Sequence, residues 1–233
     1  MSGVFDYNSE LLFNPEGKIK QLEFIKKTTE LGNTTIALCN SKIGVLVAHI
    51  PSRSKLAEPQ QKVFEINEKA LFAFSGITND GLTIVRYLKS QSIFENVIKD
   101  RSLHHLNCFE SLSFDAALRT LNPQNRLYGV AGILMLDIDG IKISEFEPNG
   151  YVREVIGVSI GHKSQSCKTI LEHECENIKT GNEQDLITIA LKALKNAYPD
   201  PKDDGLNQSD VYIFVMEKDK SFKMVDSGFF EIK

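Results

Sequence analysis

Paired strand segments are the feature that most constrains how this chain folds. Each pair consists of two apolar runs with a few turn-forming residues between them, a pattern that predicts an antiparallel hairpin. Asp139 and Gly140, which separate the third pair, are a strong signal for a two-residue turn. One further short strand is predicted at residues 155–158. The four pairs are residues 35–39 with 44–48, 62–66 with 70–74, 129–136 with 141–146, and 211–216 with 222–225.

Helical periodicity appears between these hairpins. Apolar residues recur at helical intervals near the N-terminus, in the centre and twice before the last hairpin, and a less regular helix is predicted between residues 102 and 121. Asn79 and Asp80 can cap the central helix. Asn182 can cap the last helix, which Pro199 would stop. The periodic sets are Ile19, Leu22 and Ile25; Leu82, Val85 and Leu88; Cys167, Leu171, Cys175 and Ile178; and Leu186, Ala190, Leu194 and Ala197.

The predicted order is one helix, four strands, two helices, three strands, two helices and two strands. Nearly continuous apolar runs such as residues 71–74 need cover on both faces of their sheet. Two antiparallel sheets packed on each other, with a helix pair outside each, provide that cover. We therefore predict an α+β fold, a four-layer αββα sandwich of two antiparallel sheets. No repeat or Pro/Gly/Ser-rich linker divides the sequence, so residues 1–233 are predicted to form a single domain.

Composition limits the classes of function that fit this chain. Lys and Arg number 27 against 31 Asp and Glu, a net charge of −4 that argues against a general nucleic-acid binder. No apolar run is long enough to span a membrane, and the first residues lack the features of a signal peptide. A cytosolic or nuclear protein is expected. The four cysteines form no CxxC pair and are expected to be reduced; they are Cys39, Cys108, Cys167 and Cys175.

Common catalytic and metal-binding patterns are absent from the sequence. It has no HExxH, GxSxG or glycine-rich phosphate loop. His104 and His105 would point apart on a helix, which makes them poor joint ligands for a metal. Asp137 and Asp139 flank a hairpin turn, and turn formation explains them better than acid–base chemistry does. Neither a metal ion nor a cofactor is predicted.

Residues 13–24 read FNPEGKIKQLEF and are similar to the N-terminal signature of proteasome alpha subunits. Later segments resemble the same family in order: residues 32–37 at its first strand, 128–130 before its fifth strand, and 160–165 before its third helix. The resemblance therefore covers essentially the whole chain. Within the signature, the outright matches are Pro15, Gly17, Gln21 and Glu23, and the close substitutes are Lys18, Leu22 and Phe24.

The sequence departs from the family pattern before the signature proline. The family places Tyr-Asp there, whereas this chain has Asp6 and Tyr7, or Phe5 and Asp6 with one inserted residue. Leu11 stands where the family has a threonine. These departures bear on the contacts that hold the turn on the gate side. Residues 164–169 most resemble the alpha type that is counted sixth.

The same fold family includes hydrolases whose nucleophile is an N-terminal threonine, with its own α-amine as base. Laid on that pattern, this chain has Asn33 at the nucleophile position and Ile50 in place of the orienting aspartate, while Lys62 retains the family lysine. Thirty-two residues precede Asn33, so no free amine is expected there. Thr34 and Thr35 are interpreted as strand residues rather than as a shifted nucleophile.

The resemblance implies a non-catalytic structural and gating subunit of the proteasome core particle, in its outer ring of seven alpha subunits. Its partners would be other alpha subunits, the ring of beta subunits, and regulatory particles or activators, in cytoplasm and nucleus. Residues 1–14 would form the gate-side tail, 15–31 the N-terminal helix region and 32–233 the sandwich. The implied residues of the gate-side turn and ring contacts are Asp6, Tyr7, Pro15, Gly17, Gln21, Glu23 and Phe24.

Lys62 has a second role that the resemblance implies. In alpha subunits its position lines a pocket between neighbours, where an ammonium can pair with the terminal carboxylate of an activator tail. The alternative is a surface lysine that begins a strand. For the chain as a whole, two alternatives stay open: an active N-terminal threonine hydrolase of the same fold, and a free-standing binding or assembly module.

Overall fold

The computed structural model describes residues 13–52, 54, 56, 58–122, 125–198 and 206–225. Within these ranges the chain forms six α helices and ten strands, and none of the helices is long and apolar enough to cross a membrane. The helices are α1 Lys20–Glu30, α2 Thr78–Lys99, α3 Glu110–Leu121, α4 Ser164–His173, α5 Cys175–Thr180 and α6 Glu183–Ala197. The strands are β1 Thr35–Cys39, β2 Ile43–His49, β3 Val63–Asn67, β4 Ala70–Gly76, β5 Val130–Asp137, β6 Ile141–Phe146, β7 Val152–Val155, β8 Gly157–Ile160, β9 Val211–Glu217 and β10 Lys223–Val225.

The strands form two five-stranded sheets in which every neighbouring pair is antiparallel. The first sheet has the order β10-β9-β2-β1-β8, and the second has the order β3-β4-β5-β6-β7. All four predicted hairpins are present, with Ala37 opposite Leu46 in the first sheet and Phe64 opposite Phe72 in the second. The two-sheet α+β sandwich expected from the sequence is therefore confirmed.

Three apolar layers hold the sandwich together. The middle layer lies between the two sheets, where side chains such as Leu46 and Ile133 are fully buried. The first sheet packs its other face on α4, α5 and α6, and the second sheet packs its other face on α2 and α3. Burial on both faces explains why the strands have nearly continuous apolar sequences.

The strand predicted at residues 155–158 is wrong, because this segment belongs to two strands in different sheets. Val155 ends β7 and pairs with Ile143 in the second sheet, whereas Gly157 begins β8 and pairs with Leu38 in the first. The chain crosses between the sheets at Ile156. An apolar run identifies strand-forming residues, but it does not show where the chain changes sheet.

The predicted cap of the central helix is also wrong. Helix α2 begins at Thr78 and has no side-chain cap, so Asn79 and Asp80 lie within its first turn. Asp80 instead accepts two hydrogen bonds of 2.7 Å from the Arg126 guanidinium and one from the Gly129 N–H. Burial acts to raise the pKa of Asp80, but these hydrogen bonds and the Arg126 charge hold it below its ordinary value. Asp80 therefore binds Arg126, which is distant in the sequence, instead of capping α2.

The helices before the last hairpin differ in part from the prediction. The periodic set that begins at Cys167 spans two short helices, α4 and α5, which are separated at Glu174. The cap at Asn182 is confirmed: its side chain accepts from the Asp185 N–H while the Asp185 carboxylate accepts from the Asn182 N–H. The predicted stop at Pro199 lies outside the described residues.

Asp137 joins two hairpin turns at one end of the sandwich. Its carboxylate accepts a hydrogen bond of 3.2 Å from the Gly140 N–H in its own turn and one of 2.6 Å from the Asp219 N–H in the turn between β9 and β10. The side chain is almost fully buried, and the nearest ammonium, that of Lys69, lies 3.9 Å away. Turn formation accounts for Asp137, and the carboxylate additionally ties the two sheets together.

His49 is a buried polar residue at the end of β2. Its ring lies edge-on to the Tyr198 ring at 5.0 Å, and neither ring nitrogen has a hydrogen-bond partner among the described residues. Burial lowers the pKa of His49 below its ordinary value of 6.5, although the nearby Asp210 carboxylate opposes that shift. Protonation of this ring is therefore unfavourable in the folded chain.

Replacing the Asp137 carboxylate leaves the buried Gly140 N–H and the part-buried Asp219 N–H without this acceptor. We expect Asp137→Ala to lower the free energy of unfolding by about 2 kcal/mol, measured by urea denaturation. The matched control is Lys69→Ala, which removes only the exposed ammonium and should change the free energy by less than about 0.5 kcal/mol. Equal losses in the two variants would show that charge pairing, rather than the hydrogen bonds, stabilises the junction.

The buried His49 ring predicts a specific loss of stability in acid. The unfolded chain binds a proton on this residue more tightly than the folded chain, so stability falls as pH drops below 6.5. We expect His49→Phe to be more stable by about 1 kcal/mol at neutral pH and to lose less stability on acidification. Melting temperatures from pH 7.5 to about 5.5 measure both effects. His173→Gln, at an exposed position, should keep the pH dependence of the wild type.

Candidate functional site

The three residues that the resemblance aligns with the catalytic positions of the hydrolases line one cavity. Asn33, Ile50 and Lys62 all line a cleft of about 480 Å³ at the end of the sandwich. They come together because Asn33 lies just before β1, Ile50 follows β2, and Lys62 precedes β3. Helix α1 and the start of α2 complete the walls. The other lining residues include Thr28, Leu31, Gly32, Gly76, Ile77 and Thr78.

Asn33, which the resemblance aligns with the hydrolase nucleophile, has no group that can attack a carbonyl. Asn33 is half-buried and presents a carboxamide. The chain continues through Gly32, whose carbonyl accepts a hydrogen bond of 2.8 Å from the His162 N–H, so the described backbone has no free amine here. Ile50 is buried and apolar, and so cannot orient or polarise a neighbouring group. Asn33 and Ile50 therefore supply neither the hydroxyl and free amine nor the carboxylate that the hydrolase pattern requires.

Lys62 is the charged residue among the three aligned positions, and Glu58 also lines the cavity. Lys62 is only 6% exposed, so the alternative of a surface lysine is wrong. Its ammonium donates to the Thr78 hydroxyl at 3.3 Å and lies 4.9 Å from the centre of the Phe74 ring. A buried ammonium that faces a cleft can bind an anion there. Thr78 was not identified from the sequence, because its proximity to Lys62 depends on how β4 leads into α2.

Helix α1 closes the cleft from the N-terminal side. The Ser75 hydroxyl donates to the Thr29 carbonyl at 2.9 Å, which attaches the end of the helix to the end of β4. A Cβ atom at Gly32 would overlap Ser75, so this position needs glycine for the close approach of the two backbones. Leu31 and Thr28 of the helix end line the cavity directly. The helix thus forms part of the site rather than a separate appendage.

Thr35 is the first residue of β1, as predicted, whereas Thr34 lies just before the strand. Both are essentially fully buried. The Thr34 hydroxyl donates to the His162 carbonyl at 2.6 Å and lies 2.7 Å from the Tyr198 hydroxyl. Thr35 pairs with Ala48 in the β1–β2 ladder. These contacts use the Thr34 hydroxyl for structure and leave neither residue with the free amine that the chemistry needs.

The signature residues form a defined turn that leads into α1. The Asn14 side chain accepts from the Glu16 and Lys18 N–H groups at 3.1 and 2.8 Å, and the Gly17 N–H donates to the Asn14 carbonyl. Gly17 has a φ of +75°, which favours glycine, and Pro15 suits the second position of the turn. On α1, Gln21 is half-buried, whereas Glu23 and Phe24 are exposed. Asp6 and Tyr7 lie outside the described residues.

The remaining histidines and cysteines do not form a second site in the described residues. His104 and His105 lie in a turn rather than on a helix, and their rings stack at 4.5 Å, so the expectation that they point apart is wrong. The described residues contain no group of three side chains suited to hold a metal. The four cysteines are all unpaired. Burial raises the pKa of Cys39 and Cys108 to about 12 and that of Cys167 to about 11, which makes these thiols unreactive.

Comparison with known proteins identifies the family. The family model described as "Proteasome subunit" matches residues 29–216. The chain is 28% identical to the probable proteasome subunit alpha type-6 of Schizosaccharomyces pombe over 218 residues, which cover 93% of this chain and 79% of that protein. It is 29% identical to the proteasome subunit alpha type-1 of Dictyostelium discoideum over 225 residues, or 95% and 90% of the two chains.

A third relative gives the same result with equal coverage of both chains. The proteasome subunit alpha type-6 of Saccharomyces cerevisiae is 29% identical over 218 residues, which cover 92% of each protein. The chain is thus about equally similar to relatives named alpha type-6 and to one named alpha type-1. The family model covers the chain from the end of α1 through most of β9, and the alignments with the three relatives cover 92–95% of it. The chain belongs to the proteasome subunit family, among its alpha-type subunits.

Proposed function

We propose that this chain is a non-catalytic wall and gating subunit of the proteasome core particle, in the outer alpha ring. The observation that carries the proposal is the cavity at the end of the sandwich. At the place where a hydrolase of this fold needs a terminal threonine, the chain presents Asn33 and continues backward into α1. A channel with peptidase sites inside needs such inert walls and an entrance that is normally closed.

The gate-side part of the proposal depends on the turn before α1. Hydrogen bonds to Asn14 fix the conformation of the turn from Asn14 to Lys18. We assign the gate-side turn and ring contacts to Asp6, Tyr7, Pro15 and Gly17, and to Gln21, Glu23 and Phe24 on the helix. Glu23 and Phe24 are exposed on α1 and thus accessible to a neighbouring subunit. We likewise assign residues 1–14 to the tail, 15–31 to the helix region and 32–233 to the sandwich.

Exposed apolar side chains support assembly with other subunits. Two turns at the end of α2 present Ile93, Phe94, Val97 and Ile98, which are 45–73% exposed. Helix α3 adds Phe114, Leu118 and Leu121, which recur at helical intervals on its exposed side. Patches of this kind are typical of interfaces rather than of free surfaces. They argue against the free-standing module and fit partners in the alpha ring, the beta ring and the regulatory particles.

The cellular location follows from the same proposal. The four cysteines are unpaired and three of them are buried, which fits a reducing compartment, and we assign the chain to the cytoplasm and nucleus. The subtype also stays a proposal, since the resemblance of residues 164–169 to the sixth alpha type is local. No cofactor is assigned to the chain.

We assign the Lys62 cavity to the binding of activator tails. The ammonium lies against Phe74 and Thr78, and Ile77 adds an apolar wall, so a terminal carboxylate and a flanking apolar side chain both find matching surface. The arrangement resembles recognition of C-terminal carboxylates in other peptide-binding sites. In the assembled ring a neighbouring subunit would complete this cavity.

The absence of peptidase chemistry can be tested with Asn33→Thr. This substitution restores a hydroxyl but not the free amine, and Ile50 still occupies the place of the orienting carboxylate. We expect neither the wild-type chain nor the variant to hydrolyse fluorogenic peptides above background. Active core particles serve as the positive control. Turnover by the isolated chain that a covalent threonine-directed inhibitor abolishes would revive the hydrolase alternative.

The Lys62 assignment can be tested in assembled particles. We expect Lys62→Met, which keeps the length of the buried side chain but removes its charge, to weaken docking of an activator about tenfold or more. Incorporation of the subunit into the particle should be unchanged. Binding to the isolated regulatory particle gives the affinity, and Lys62→Arg is the charge-preserving control. Equal affinity of the wild-type and Lys62→Met particles would remove the pocket role and leave the wall role untouched.

A further inference from the structure

Among the described residues, no strand or helix covers the middle apolar layer along one flank of the sandwich. On the opposite flank, β7 and β8 are consecutive in the chain and connect the edges of the two sheets. On the open flank, β3 and β10 are the sheet edges. A groove of about 410 Å³ lies there, with apolar lining from both sheets: Val63, Leu71, Tyr212, Phe214, Phe222 and Met224.

The β3 edge presents backbone groups along this groove. The Phe74 N–H donates to the Lys62 carbonyl, which makes these two residues a hydrogen-bonded pair of the β3–β4 ladder. Bonded and non-bonded pairs alternate in an antiparallel ladder, so the backbone groups of Val63 and Glu65 point away from β4. In agreement, the outward Val63 carbonyl accepts from the Gln61 side chain at 3.0 Å. No described strand pairs with this side of β3.

The rim of the groove is acidic. Glu58 and Glu65 are exposed along it, and the described residues that line the groove include no Lys or Arg. Met224, which lies at the surface of the apolar lining, is 66% exposed. The surface therefore combines an open strand edge, an apolar floor and a negative rim. Strand addition uses these elements: main-chain hydrogen bonds supply affinity, and alternate side chains supply specificity.

We propose that this groove receives an extended segment of a neighbouring proteasome subunit, which pairs with the outer edge of β3. The segment inserts aliphatic side chains on alternate residues into the apolar floor and places a Lys or Arg opposite Glu65. This inference rests on the proposed function, because it assigns the groove to an interface within the ring. The groove adjoins the activator cavity, with which it shares Ile50, Glu58, Pro59 and Gln60, and it is distinct from the exposed faces of α2 and α3.

The outward N–H of Glu65 provides a sharp test. Glu65→Pro removes this donor but none of the bonds to β4, and edge strands tolerate proline at such a position. Glu65→Ala is the matched control, which keeps the N–H and removes only the charge. In cells that express tagged chains, we expect Glu65→Pro to enter particles about tenfold less than Glu65→Ala, the loss typical of one interface hydrogen bond.

A second substitution tests the floor of the groove without touching the backbone. Met224→Lys places a charge at an exposed position and should reduce incorporation, whereas Met224→Leu should not. The melting temperature of each isolated chain should match that of the wild type. If Met224→Lys instead lowers the melting temperature of the isolated chain, the groove is covered by the chain itself, and the inference is wrong.

Hydrogen exchange separates this inference from the proposed function. We expect the amides of Val63 and Glu65 to exchange readily in the isolated chain and to become protected in the assembled particle. Strand addition would be overturned if these amides stay unprotected in a particle that contains the wild-type chain and if Glu65→Pro enters particles as well as Glu65→Ala does. The ring assignment would still stand after that result. Failure of the wild-type chain to enter any particle would instead overturn the ring assignment itself.

Discussion

The close packing of the link between α1 and β1 is the constraint on which the site depends. The Ser75 hydroxyl holds the Thr29 carbonyl, and the His162 N–H holds the Gly32 carbonyl. A Cβ atom at Gly32 or Gly161 would overlap neighbouring atoms, so the backbones approach too closely for side chains. These contacts attach the end of α1 to the sandwich and fix the position of Asn33 at the cavity. In the proposed function, the same packed link occupies the place where a hydrolase of this fold would need a free terminal threonine.

Local sequence signals were sufficient for the hairpins and the layer order, but not for features that depend on distant partners. Turn residues and apolar runs predicted the β1–β2 and β5–β6 hairpins, because both signals lie within a few residues. The change of sheet at Ile156 has no such signal. Asp80 has the chemistry of a cap, yet its partner Arg126 is 46 residues away in the sequence. The stacking of His104 on His105 likewise depends on a turn that periodicity did not reveal.

The sequence predicted which residues align at the candidate site, but it did not predict how deeply they are buried or what they contact. The resemblance to the family aligned Asn33, Ile50 and Lys62, and the structure brings all three to one cavity. The sequence could not show that Lys62 is buried against Phe74, or that Thr78 contacts its ammonium, because both depend on how β4 leads into α2. A buried cation facing a cleft is a stronger basis for anion binding than a lysine at the surface.

The central claim, that this chain is an inert wall of a larger protease, is tested most directly by native mass spectrometry of complexes purified through a tag on the chain. We expect a multi-subunit particle that contains the tagged chain at 26.1 kDa among other subunits, and that cleaves peptides. Treatment with a covalent threonine-directed inhibitor should label other subunits and leave the tagged chain unmodified. Recovery of the 26.1 kDa chain alone, or covalent labelling of that chain, would contradict the claim.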